Sequence, residues 1–189
     1  MKFEADLIRF LQANAGSGWI TIFQIITMLG SYLGFLIAFV IIFVRNRNLS
    51  YCLALTFVAG ALVNFVLKMI IARERPFETY SFISNLDSAD GFSMPSGHSL
   101  CGGMFATFLT YHLWREKKDA LTRTLGTICM ALFPAIIGFS RMILGVHYLT
   151  DVVVGIIIGI MFAIAAIWVY NRVEKRKTKG KENDTTIQR

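Results

Sequence analysis

What most constrains this chain is a set of apolar runs too long for an ordinary water-soluble core. Residues 19–44, 49–71, 124–139 and 148–170 each meet or approach the roughly 20 mainly apolar residues that one helical membrane crossing needs. A fifth stretch, 99–114, is shorter and richer in Gly, Ser and Thr, small residues that suit close helix packing inside a bundle. The charges are gathered into short clusters between these runs. Of the 189 residues 55% are hydrophobic and 16% charged, where a soluble domain carries about 25% charged residues. A disordered chain, a disulfide scaffold and an ordinary soluble domain are thereby excluded. Cys52, Cys101 and Cys129 lie inside apolar runs, and their odd number and placement offer neither a disulfide framework nor metal spacing. The chain reads as an all-α integral membrane protein.

Five spans are expected, or six if the first 44 residues make two passes. The first run is long for one span, and Gly30-Ser31 is where it would break or kink. Pro134 interrupts the 124–139 run, a placement tolerable where neighbouring helices satisfy the freed carbonyl. Residues 3–12 set Phe3, Leu7, Phe10 and Leu11 at helical spacing against Glu4, Asp6 and Arg9. That pattern predicts an interfacial amphipathic helix and lacks the layout of a cleaved signal peptide. The embedded domain is expected over residues 1–172. The basic tail, 173–189, has little apolar content and is expected to be disordered.

The loop cations set the orientation. Arg45, Arg47, Arg115, Lys117, Lys118, Arg123 and the basic residues from Arg172 to Arg189 fall on one side by alternation, which is then cytoplasmic. A multi-pass protein of the cell membrane with a cytoplasmic C-terminus is expected. The formal net charge of +7 follows from this bias and from contact with anionic lipid. Nucleic acid is not needed to explain it.

Lys68, Arg73, Arg75 and Arg141 stand on the opposite side and need another reason. Ionisable groups near spans are costly, about 2.5–3.5 kcal/mol at the bilayer centre on insertion scales, and so mark function by default. Lys68 and Arg75 are seven apart and can project on one helix face, with Pro76 then stopping the helix. In Ser93-Met94-Pro95-Ser96-Gly97-His98-Ser99, Pro followed by small polar residues predicts a helix start, a natural anion site, and His98 can hold or release a proton. His147 and Asp151 are four apart, neighbours on a helix face, where a carboxylate can fix the tautomer of a nucleophilic imidazole. Each cluster alone has a plain structural reading: snorkelling anchors, a capping turn, a helix cap. Together they offer three cations, two histidines, a carboxylate and an anion-binding helix start on one membrane side, an inventory that describes phosphoryl transfer.

These three segments match the pattern Lys, six residues, Arg-Pro; Pro-Ser-Gly-His; and Ser-Arg, five residues, His, three residues, Asp, with every fixed position present in order. The chain therefore resembles the type-2 phosphatidic acid phosphatase superfamily of lipid phosphate phosphatases, related to vanadium haloperoxidases. Its small size, with no large inserted extramembrane domain, is similar to that of bacterial phosphatidylglycerophosphatase-B-like and undecaprenyl-pyrophosphate phosphatases. The resemblance implies that His147 is the nucleophile, oriented by Asp151, and that His98 protonates the leaving oxygen and then activates water. It implies that Lys68, Arg75 and Arg141, with Ser96 and the backbone around Gly97, hold the phosphate oxygens. The cations stand in for a metal, so no metal or other cofactor is called for.

The implied function is metal-independent hydrolysis of a lipid phosphate or diphosphate at the outer membrane face. Undecaprenyl pyrophosphate, phosphatidylglycerophosphate and phosphatidic acid are all of the right class. The competing reading is a non-catalytic transporter or anionic-lipid-binding protein using the same cations, which would have no use for His147, Asp151 and His98 together. No obligatory protein partner is called for. Phe77, Tyr80, Phe82 and Phe92 beside Asp87 and Asp90 are read as interface anchors or as flanks of a lateral access for lipid tails. Arg73 and Glu74 are expected to neighbour the site.

Overall fold

The computed structural model describes residues 2–117 and 119–187, with side chains followed to residue 180. Eight helices account for the described fold: α1 (Lys2–Asn14), α2 (Ser17–Met28), α3 (Tyr32–Phe43), α4 (Arg47–Ile71), α5 (Pro76–Thr79), α6 (Gly97–Glu116), α7 (Ala120–Ile143) and α8 (Leu149–Ile187). Helices α4, α7 and α8 are each long and apolar enough to cross a membrane. The pair α2 and α3 is bent by 49° at its break and passes the same test only together. That break falls at Gly30 and Ser31, where a side chain on Gly30 would meet the backbone oxygen of His98 at 3.0 Å. Thr27 reaches Arg141 at one end of the bundle, while Asn46, just after α3, binds Tyr170 at the other. Between those two contacts the chain runs once from one end of the bundle to the other, through α3.

Helix α6 occupies the middle of the bundle and packs against α3, α4, α7 and α8. Its 20 residues span about 30 Å at 1.5 Å per residue. Enclosed by protein, it needs small residues more than apolar ones. Gly155 and Gly159 of α8 let that helix close on α6: a Cβ at Gly159 would lie 2.0 Å from Leu100 O, and one at Gly155 2.5 Å from Ser96 O. This is the small-xxx-small packing by which membrane helices associate without a hydrophobic driving force. It also brings the first turn of α8 beside the first turn of α6. The opposite faces of the outer helices carry large exposed apolar side chains, Leu55 at 74% and Met161 at 63% among them. A patch of that extent suits lipid and not water.

Away from the site, α8 continues through the basic segment to Ile187, where the sequence predicts disorder from residue 173. Arg115 holds Glu174 at 2.9 Å, and Tyr170 OH donates to the same carboxylate. These contacts extend the helix past its apolar part, and Lys, Arg and Glu are good helix formers. At the other end α1 lies over the site, with Ala5 and Ile8 fully buried and Gln12 bonded to Ser84 and to the backbone oxygen of Ile143. Phe77 and Tyr80 pack into the cluster beneath α1, so these two aromatics serve its docking.

Candidate active site

Four chain segments converge at the α1 end of the bundle. The first follows α4, which ends at Ile71 because Ala72 adopts a left-handed conformation, φ 47°. Its N–H returns to Lys68 O at 2.9 Å. Arg75 is consequently not on a helix face with Lys68, as their spacing predicts. It precedes Pro76, which bars it from the helical region, and Pro76 opens α5 where a missing N–H is harmless. The two cations meet by folding back. Lys68 Nζ donates to the carbonyls of Phe92 and Ser93. Arg75 donates to Gly91, Val146 and Asp90 carbonyls at 2.8–3.0 Å. Lys has three N–H donors and Arg five, so both keep donors beyond these bonds.

The second segment starts α6. Ser96 is its N-cap, accepting from Ser99 N and Ser99 Oγ, and Ser96 N donates to Asp151 O at 3.0 Å. Gly97 and His98, the next two residues, supply amides that have no partner within the helix. The His98 ring makes no hydrogen bond among the described residues.

The third segment is the turn from α7 to α8. Gly145 has φ 77°, its N–H bonds Met142 O at 2.9 Å, and Val146 N bonds Arg141 O at 3.2 Å. This is the Schellman closure of a helix C-terminus. It sets Arg141 at the end of α7 and His147 two residues beyond the glycine. Arg141 Nη1 donates to Thr27 Oγ1 at 3.0 Å and to Asp87 Oδ2 at 2.5 Å. Its Nε is buried with no partner among the described residues, a donor left open.

The fourth segment is the first turn of α8. His147 sits in the preceding turn, and not on the helix face that its spacing from Asp151 predicts. Asp151, the third residue of α8, folds back to accept from Tyr148 N at 2.8 Å. Such a return bond satisfies an open amide at a helix start. The same oxygen, Oδ2, accepts from Ser93 Oγ and lies 3.5 Å from His147 Nδ1. Ser93 Oγ is itself 3.4 Å from Nδ1. Both polar neighbours of the imidazole thus face Nδ1, which leaves Nε2 clear of them. Burial pushes the His147 pKa down to about 3; the hydrogen bond to Asp151 only partly offsets this, and the Arg141 and Arg75 charges add to it. At neutral pH the ring is uncharged and keeps its lone pair.

Arg73 closes the arrangement. Its Nη1 meets Asp151 Oδ1 at 2.5 Å and Thr150 Oγ1 at 2.6 Å, and its Nη2 meets Glu4 Oε2 at 3.0 Å. The guanidinium lies 3.9 Å from the Tyr148 ring centre. Glu4 also accepts from Thr150 N and Oγ1 at 2.8 Å each. Burial alone would raise the Glu4 carboxyl, but the Thr150 bonds and Arg73 outweigh it and hold the group below its ordinary value.

All eight residues singled out in the sequence (Lys68, Arg75, Ser96, Gly97, His98, Arg141, His147 and Asp151) lie at this end of the bundle. Ser93, Thr27, Asp87 and Glu4 have no role assigned from sequence. Ser93 stands inside the second motif segment and Asp87 in the adjoining loop, so position alone hinted at them. Nothing marks Glu4, one acid among the polar residues of an amphipathic helix.

Residues 48–175 match the model of the PAP2 superfamily. Phosphatidylglycerophosphatase B of Bacillus subtilis is 32% identical over 123 residues, 63% of this chain and 57% of that protein. Undecaprenyl-diphosphatase BcrC of the same organism is 30% identical over 122 residues, 62% of this chain and 58% of that one. The matched stretch is thus under two thirds of the length of either relative. A solved structure, the transmembrane PAP2 type phosphatidylglycerolphosphate phosphatase from Bacillus subtilis, superposes with a TM-score of 0.76. It is 24% identical and covers 91% of this chain and 86% of that one. At that identity the likeness is one of fold.

Proposed function

Because the chain belongs to the PAP2 superfamily, we propose that it hydrolyses a lipid phosphate or diphosphate without a metal, through a phosphohistidine on His147. One observation carries the reading: an uncharged, buried imidazole has Nδ1 turned to Asp151 and Ser93, within the field of Arg141 and Arg75. Binding an anionic headgroup does not require that pairing; nucleophilic attack does.

In the proposed reaction His147 Nε2 attacks phosphorus. The bond to the lipid oxygen breaks, and His98 gives that oxygen its proton. Asp151 stabilises the charge that His147 acquires. Water, losing a proton to His98, then attacks the phosphohistidine and releases inorganic phosphate and neutral His147. Lys68, Arg75, Arg141, Ser96 and the Gly97 amide stabilise the equatorial oxygens, where charge develops in the transition state. The unpartnered Nε of Arg141 is one such donor.

The substrate class follows from place and kinship. A site at the end of a membrane bundle meets tailed phosphates at high local concentration. The relatives named as a phosphatidylglycerophosphatase and an undecaprenyl-diphosphatase support lipid monophosphates and diphosphates. We place the site on the extracytoplasmic face, with the basic segment 173–189 appended to the 1–172 domain on the cytoplasmic side.

The test is phosphate release by purified protein in detergent micelles with EDTA present, comparing phosphatidylglycerophosphate, phosphatidic acid and undecaprenyl pyrophosphate. Turnover of at least one is expected, inhibited by vanadate, whose five-coordinate form mimics the transition state. Activity lost in EDTA and restored by magnesium overturns the metal-independent mechanism. No turnover of any of the three favours the binding-only reading.

A further inference from the structure

We propose that Arg73, braced by Glu4, is a positioning residue that holds the Asp151 carboxylate in place against His147, which makes the N-terminal helix α1 part of the active site. The inference rests on the roles given above to His147 and Asp151.

Arg73 is surrounded differently from Lys68 and Arg75, and carries two carboxylates where Arg141 meets one, Asp87. Lys68 and Arg75 donate to backbone carbonyls, neutral partners that leave their charge available to an anion. Arg73 lies between two carboxylates, Asp151 at 2.5 Å and Glu4 at 3.0 Å, with one face on the Tyr148 ring. One cation between two anions leaves a local charge of −1, which repels a phosphate. Its geometry serves Asp151 and not the substrate.

Asp151 needs that service. Its side chain is fully buried, and a buried carboxylate without partners is strongly disfavoured. The two oxygens divide their work. Oδ2 takes Ser93, Tyr148 N and the His147 contact, while Arg73 is, among the described residues, the side-chain donor on Oδ1. Without Arg73, Oδ1 is left unsatisfied, and the carboxylate turns toward the remaining donors. The His147 contact, at 3.5 Å the longest of the set, is the first to go.

Glu4 fixes the far side of Arg73 and caps α8 from another helix by accepting Thr150 N. It can do so because Ala5 and Ile8 anchor α1 and Gln12 ties it to the loop and to α7. Glu4 lies on α1, outside the stretch, 48–175, that matches the superfamily.

The experiment uses the full chain in detergent, with kcat, KM and single-turnover phosphoenzyme formation measured for Arg73→Ala, Arg73→Lys, Glu4→Gln, the Glu4→Gln/Arg73→Ala pair and His147→Ala. Arg73→Ala is expected to lower kcat and phosphoenzyme formation about tenfold to a hundredfold with KM changed less than about twofold. Arg73→Lys restores part of the loss. Glu4→Gln costs about threefold to tenfold alone and nothing further in the Arg73→Ala background, because the two act as one unit. A raised KM with kcat intact means that Arg73 binds substrate, and overturns the proposal. Independent, multiplying losses in the pair overturn it as well. If Arg73→Ala does not fold, the near-isosteric Glu4→Gln decides alone, and an unchanged kcat sinks the idea. Turnover retained by His147→Ala defeats instead the reading on which this one rests.

Discussion

His147 Nδ1 lies 3.5 Å from Asp151 Oδ2 across the junction of a turn and a helix, with Asp151 in the first turn of α8 and His147 in the bend before it. Two backbone devices set that distance. The glycine closure of α7 delivers His147, and the bond from Tyr148 N to Asp151 Oδ2 pins the carboxylate. In the proposed chemistry, His147→Ala abolishes turnover whatever the leaving group. His98→Ala abolishes lipid turnover, because a poor leaving oxygen needs a proton, but spares a burst of nitrophenol from an activated ester and traps the phosphoenzyme. Acid-labile phosphate counted on each variant checks this; trapping by His147→Ala and not by His98→Ala reverses the assignments.

Asp87 holds Arg141 at 2.5 Å, so in the proposed chemistry an incoming phosphate must share or displace a carboxylate. Asp87→Asn removes the competing charge and is expected to tighten inhibition by inorganic phosphate, on the order of tenfold, the scale of one charge-assisted hydrogen bond. Inhibition constants measured at constant pH and salt check it. Weaker inhibition would mean that Asp87 orients Arg141 for the ligand.

Gly145 takes φ 77°, and a Cβ there would come within 2.3 Å of Ser84 O. Gly145→Ala therefore adds about 1–2 kcal/mol of left-handed strain to a steric conflict in the turn that carries His147. A lower thermal midpoint is expected together with a reduced kcat. A variant with wild-type values for both would show that the turn adapts without moving the histidine.

Stability should fall in acid for a reason traceable to His147. In the unfolded chain an imidazole titrates near 6.5, whereas in the fold burial lowers it to about 3. Between those values the unfolded chain binds a proton that the folded chain does not, so stability declines as pH drops from about 6.5 toward 3. Above that window this group contributes no slope. Thermal midpoints in detergent from pH 8 to 4.5 should show the decline, and His147→Asn should flatten it. An equal slope in the variant assigns the acid sensitivity elsewhere.

Sidedness is testable with single cysteines at Ser84 and Lys117, after Cys52, Cys101 and Cys129 are replaced by Ala. Ser84 neighbours the site through Gln12, and Lys117 follows α6 at the opposite end. An impermeant reagent added to intact cells should label the first and spare the second. The reverse pattern puts the site in the cytoplasm and changes the substrate pool available to it.

Membrane residence, the break at Gly30-Ser31, a helix at the N-terminus and the candidate residues that gather at one end of the bundle were legible in the sequence, because each rests on local pattern: apolar run length, a Gly-Ser pair, helical spacing, fixed intervals. How the motif residues converge was not. Lys68 with Arg75, and His147 with Asp151, have spacings that suit a helix face, yet both pairs straddle a helix end. The left-handed residue at Ala72 and the glycine closure at Gly145 override the periodicity there. Nor does spacing reveal that Glu4 reaches Arg73 and Thr150, 69 and 146 residues away. A surface acid and a buried brace look alike in a sequence. Which one Glu4 becomes is decided only when α1 docks and closes water out around it, leaving the carboxylate to find its partners on other helices.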